Sequence, residues 1–157
     1  MRPPRRSARP LPPYAFVPGR SPHPFRHPDG HAWQGGDAPR AAAWQAGDPA
    51  ADDAWRWGVE LFEQGFPWEA HEAWEGIWRQ VPPSDPLRAL LQGLIQVAGA
   101  EVKRLQGDPR GEARLRSRGL ARVREVAAVT PVCHGLHLEA SLALLEAGTC
   151  RLVLEEP

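Results

Sequence analysis

Proline divides this chain into two unlike parts, and that division constrains the fold more than any other feature. Eleven of the eighteen prolines lie in residues 1–50, a segment that also lacks hydrophobic periodicity. Proline fixes φ and removes a backbone donor, so helices and central strands are disfavoured there. Beyond Asp52 the remaining prolines punctuate instead of crowding. Pro67 and Pro86 stand where a first helical residue tolerates a missing N–H, while Pro82-Pro83 and Gly107-Asp108-Pro109 stand where a helix must stop. The predicted fold class is all-α: a compact bundle of about five helices with a Pro-rich, largely non-helical N-terminal extension.

The predicted helices run over residues 52–64, 67–80, 86–106, 110–128 and 136–147. Asp52 or Asp53 caps the first, and Ser84 or Asp85 the third. No β-like alternation persists anywhere. The chain thus reads as an extension (1–50), a helical domain (51–148) and a C-terminal tail (149–157). The third helix is the expected centre, because Leu87, Leu90, Leu91, Leu94, Val97 and Val102 share one broad arc. Its other side carries Ala89, Gly93, Gly99 and Ala100, which allow close approach by another helix or a second copy of the chain. A homo-oligomer through helix 86–106 is the partnership this suggests.

Nineteen basic residues balance nineteen acidic ones, so no global field favours nucleic acid or a membrane surface. No run approaches the ~18 apolar residues of a membrane span. Cys133 and Cys150 are too few for a disulfide framework and lack metal-ligand spacing. These features suit a soluble cytoplasmic protein with reduced thiols.

Residues 68–78 read WEAHEAWEGIW, with three tryptophans, three glutamates and a histidine on one helix. With His71 as zero on the wheel, Trp74 falls at about −60°, Ala70 at about −100° and Ile77 at about −120°, which defines the buried stripe. Glu75 lies at about 40° and Glu72 at about 100°, at the border of core and solvent, while Glu69 falls near about 160°, in water. His71, Glu72 and Glu75, with Gln96 from the third helix, are therefore the candidate ligand or metal residues. An i, i+4 His–Glu pair binds a divalent metal when other groups complete the shell. The pair equally serves as a hydrogen-bonded edge of a packing helix. The second histidine of the HExxH pattern is missing, so a zincin is excluded.

Two charges fall on apolar arcs: Glu101 on the third helix and Arg116 on the fourth. The turn at 107–109 folds these helices together, which predicts a structural ion pair between them. In the extension, His23, His27 and His31 stand four apart among prolines, and are the candidates to complete a metal shell. Tyr14, Phe16, Val17, Phe25 and Trp33 are too apolar for a free linker, so residues from about 14 to 33 are predicted to dock on the bundle. Arg110, Arg114, Arg118 and Arg122 form a drifting stripe on the fourth helix, read as a solvated face that balances an acidic C-terminus. Gly-rich phosphate loops, GxSxG and CxxC are all missing, so several enzyme classes have no support.

The run WGVELFEQGFPWEAHEAWEGIW at 57–78, LQGLIQVAGA at 91–100 and GDPRGEARL at 107–115 together resemble the bacterial and archaeal domain-of-unknown-function family 309. The resemblance covers roughly residues 54–145. Pro18-Gly19 and the stretch from His27 to His31 are similar to an N-terminal extension of some members, which implies an ordered tail. The resemblance implies a compact all-α fold and no established activity. It singles out Glu69, His71, Glu72, Trp74, Glu75, Trp78, Gln92 and Gln96.

The first functional reading is a non-catalytic interaction or structural module. The alternative is a metal- or small-ligand-binding protein, with catalysis left open, built on the EAHEAWE helix and holding a divalent metal. The third is weak nucleic-acid contact through the Arg stripe, which the charge balance disfavours.

Overall fold

The computed structural model describes residues 1–41 and 43–157. Five helices follow one another: α1 (Pro49–Glu63), α2 (Pro67–Trp78), α3 (Pro86–Gln106), α4 (Pro109–Ala127) and α5 (Leu138–Glu146). Helix α3 packs between α2 and α4, α1 lies on α2, and α5 lies on α4. The all-α architecture is thus as the proline punctuation implies.

Local chemistry sets the boundaries. Asp85 accepts a hydrogen bond from Leu87 N at 2.9 Å, with Pro86 opening α3 behind it. Asp108 does the same for α4, accepting from Gly111 N at 2.9 Å beside Pro109. Between them Gly107 ends α3 at φ 76°, where a side chain would be strained. Arg88 of α3 donates to the Trp78 and Val81 carbonyls at 2.9 and 2.8 Å and closes the C-terminal end of α2.

The small residues of α3 are used within the chain. A Cβ on Gly119 of α4 would lie 2.7 Å from the Gly93 carbonyl oxygen and 2.7 Å from Val97 Cγ2. The two helices cross there at glycine on both sides, and Leu115 meets Gly99 nearby. The close approach that suggested a homo-oligomer through helix 86–106 is made by α4. The core around it is apolar, with Trp55, Trp74, Leu87, Leu90, Leu91 and Val123 all fully buried.

Two helix starts depart from the sequence reading by more than one residue. Helix α1 begins at Pro49, so Asp52 sits in its first turn and pairs with Arg56 at 2.7 Å. Helix α5 begins at Leu138, not at 136, because β1 (Val132–Cys133) and β2 (Leu136–His137) form a two-stranded antiparallel hairpin. Its turn residues His134 and Gly135 both have positive φ, 47° and 75°, the geometry that suits a two-residue hairpin loop. The C-terminal segment joins this hairpin, with His137 N donating to Val153 O and Glu155 N to Gly135 O, each at 2.8 Å. Leu152 and Leu154 are buried there.

The N-terminal extension is stitched to the bundle by buried acceptors on α1 and α2. Glu60, 2 % exposed, accepts from Arg6 N at 3.1 Å and Ser7 N at 3.3 Å, and from the Arg5 guanidinium. Glu63 takes Arg6 in a two-pronged pair at 2.8 and 3.1 Å and accepts from Leu152 N at 3.0 Å. Gln64 donates to Pro3 O at 2.9 Å. Further along, Arg20 donates to the Leu105 carbonyl at the C-terminal end of α3, at 2.6 Å. These contacts begin at Pro3, well before the apolar stretch from Tyr14.

Candidate functional site

Helix α2 organises the site. Pro67 opens it, Trp74, Ala70 and Ile77 fill the core side, and the polar residues are left along two neighbouring ridges. On the first ridge, His71 Nδ1 lies 3.5 Å from Glu72 Oε1 and His71 Nε2 lies 3.1 Å from Glu75 Oε2. One donor atom from each of these residues falls within 4.8 Å of the others. All three side chains are half-buried. Burial pushes the Glu72 carboxyl above its ordinary range; His71 opposes that shift and the neighbouring Glu75 adds to it. Glu75 is also held by Arg79, whose Nη2 donates to Oε1 at 2.7 Å.

The second ridge corrects the helical wheel. Glu69, placed in water by α2 alone, is only 6 % exposed. The extension covers it: Glu69 Oε1 accepts from Phe16 N at 2.8 Å and meets His31 Nε2 at 2.9 Å. Its Oε2 is buried with no hydrogen-bond partner. Tyr14 steadies this arrangement, accepting from His31 N at 3.1 Å and donating to Pro22 O at 2.8 Å.

The three extension histidines go to separate places. His31 takes Glu69. His23 packs edge-on against Trp68 and Phe25, at 5.5 and 4.6 Å between ring centroids. Its Nδ1 accepts from Phe25 N and Arg26 N, and burial, helped by Arg26, lowers its pKa. His27 is exposed and accepts from Asp29 N at 3.0 Å. Among the described residues, none of the three is in the group His71, Glu72 and Glu75. Gln96 Oε1, on α3, is buried and without a hydrogen-bond partner.

A cavity of about 560 Å³ lies between the extension, α1 and α2. Phe25, Trp44, Trp57 and Trp68 line it, as do His31, Glu69, Glu72 and Glu75. Elsewhere, Arg116 Nη2 donates to Glu101 Oε1, and Arg104 Nε donates to Glu101 Oε2 at 2.8 Å. Glu101 is 4 % exposed, so α3 and α4 share a buried carboxylate with two cations. Of the stripe, Arg110, Arg114 and Arg118 are exposed and Arg122 is half-buried; outside it, Arg124 pairs with Glu146 of α5.

Glu60, Glu63 and Glu69 are the polar residues that reading the sequence underrated. For Glu60 and Glu63 the signal was present in ELFEQGF, where acids interrupt an apolar run at positions a helix would bury.

The fold and site define a small helical protein whose second helix carries a polar border beside an aromatic cavity. Residues 55–115 match the family model of a domain of unknown function, DUF309, and the resemblance read from α2 and α3 stands over that stretch. No curated protein and no solved structure matches the chain. No helix among the described residues is long and apolar enough to cross a membrane.

Proposed function

We propose that the EAHEAWE helix is a divalent-cation site, with His71, Glu72 and Glu75 as the protein ligands. The observation that carries this is the convergence of the three donors within 4.8 Å on little more than one helical turn. One imidazole and two carboxylates suit first-row divalent metals such as Mn²⁺, Fe²⁺ or Zn²⁺, and leave further positions open to water or a ligand. A carboxyl with a raised pKa releases its proton as the cation enters, so affinity should climb with pH through the weakly acidic range. Cys133 and Cys150 are free thiols, which suits a reducing compartment such as the cytoplasm.

The test is the metal content of protein purified without a nickel column, beside its His71→Ala variant. Mn²⁺ and Zn²⁺ are then titrated into chelator-stripped samples. One metal per chain, lost in folded His71→Ala, is the expected result. No binding of either metal by the folded wild type would sink the proposal and leave His71 as an ion-paired edge of a packing helix.

A further inference from the structure

The cavity behind α2 carries a second recognition chemistry that does not rest on the metal reading. Glu69, Glu72 and Glu75 follow one another at i, i+3 and i+6, and all three line the cavity. The aromatic walls are Phe25, Trp44, Trp57 and Trp68. Carboxylates and the negative faces of aromatic rings attract the same partner, an organic cation.

Two observations separate this cavity from an ordinary acidic surface. Glu69 is more than nine-tenths buried and still keeps one oxygen without a donor, in a structure that gives both oxygens of Glu60 and of Glu63 a donor. A desolvated carboxylate oxygen in that state calls for a donor. The chain also shows what its walls accept, for the Arg9 guanidinium stands over the Trp57 ring at 4.4 Å. The opposite charge lies outward: Arg9, Arg40 and Arg79 line the same cavity and are exposed, whereas Glu69 is buried and Glu72 and Glu75 are half-buried. The deepest carboxylate is thus Glu69, and the rim carries arginine side chains, of which Arg79 is held by Glu75.

We propose that this cavity binds a small zwitterion, its ammonium or guanidinium end toward Glu69 and the indoles and its carboxylate toward the arginine rim. A volume of about 560 Å³ is in the range of small-molecule sites. The ligand class is thus amino-acid-like, with the two charges separated by an apolar stem.

The experiment is calorimetric titration of the full-length chain, in chelator so that no metal contributes, with three probes of equal length. These are 6-aminohexanoate, hexylammonium and hexanoate. The zwitterion should bind best, hexylammonium roughly tenfold more weakly, and hexanoate not measurably. Glu69→Gln, which keeps an acceptor for Phe16 N, should weaken the zwitterion roughly tenfold, and so should Trp44→Ala on the half-buried rim. The chelator separates this site from the cation site, with which it shares Glu72 and Glu75. No binding at tens of millimolar would overturn the proposal. So would hexanoate matching the zwitterion, or unchanged affinity in folded Glu69→Gln and Trp44→Ala.

Discussion

Removing Glu63 should cost this protein a large share of its stability, because that one carboxylate joins three separate segments. It accepts both prongs of Arg6, at 2.8 and 3.1 Å, and the backbone N–H of Leu152 at 3.0 Å. Its side chain is 2 % exposed and that of Arg6 is 22 % exposed. In Glu63→Ala the buried Leu152 N–H loses its acceptor, a loss of about 1–3 kcal/mol. Breaking a buried pair costs about 3–5 kcal/mol, but Arg6 rehydrates in part, so that figure is an upper bound here. With that contribution reduced to about 2 kcal/mol, the sum comes to about 3–5 kcal/mol, against the total of about 5–15 kcal/mol typical of a domain. Glu63→Gln keeps one acceptor and loses the charge, for about half that cost. Urea unfolding of wild type, Glu63→Ala, Arg6→Ala and the double variant measures both the loss and the coupling. A loss below about 1 kcal/mol with no Arg6 coupling would refute the view that the extension is part of the fold.

Three further outcomes follow from other contacts. Arg116→Ala should destabilise by about 1–3 kcal/mol, read as a fall in Tm; the loss is moderate because Arg104 still holds Glu101, and an unchanged Tm would reject the buried pair. Gly119→Ala should cost about 1–3 kcal/mol by overpacking despite a helix-propensity gain of about 1 kcal/mol, since the new Cβ meets Gly93 backbone at 2.7 Å. A more stable variant would show that the α3–α4 crossing yields. The pH profile should carry two opposite contributions. For Glu60 burial acts upward, but the Ser7 and Arg5 hydrogen bonds outweigh it and the pKa falls below 4.5. Its stabilisation is complete above 4.5 and lost as pH drops through the depressed value. Glu72, raised by burial, contributes fully below 4.5 and loses that contribution as pH rises through its higher value. Urea midpoints from pH 3 to 8 should show Glu60→Gln flattening the acid limb and Glu72→Gln removing the loss on the other side, and parallel curves would count against both assignments.

The parts of the fold written in local chemistry were legible. Pro67, Pro86 and the Gly107–Pro109 turn mark α2, α3 and α4 because caps and breakers act over a few residues. The spacing of His71, Glu72 and Glu75 on one helix fixes their proximity in the same way. The hairpin at 132–137 was not legible, because strands of two residues are too short to show alternation. Only the His134-Gly135 pair hinted at a turn. Glu69 was misplaced for a different reason. A wheel reports which side of α2 faces other periodic elements, and the cover over Glu69 is a non-periodic strap. Docking at Arg5, Arg6 and Ser7 uses polar groups alone, so it left no apolar mark before Tyr14. The fates of His23, His27 and His31 depend on the path of that strap, which composition does not encode.

The Glu63 junction also sets an order of events during synthesis. Arg6 precedes its carboxylate by 57 residues and the Leu152 carbonyl it also contacts by 146. The helix–turn–helix contacts within 49–127 close over far shorter loops and form first. The extension, made earliest, must wait at the ribosome with its aromatic residues uncovered until α1 emerges. Final closure of the junction then awaits Leu152, nearly at the end of translation. The segment made first is thus the last to find its place.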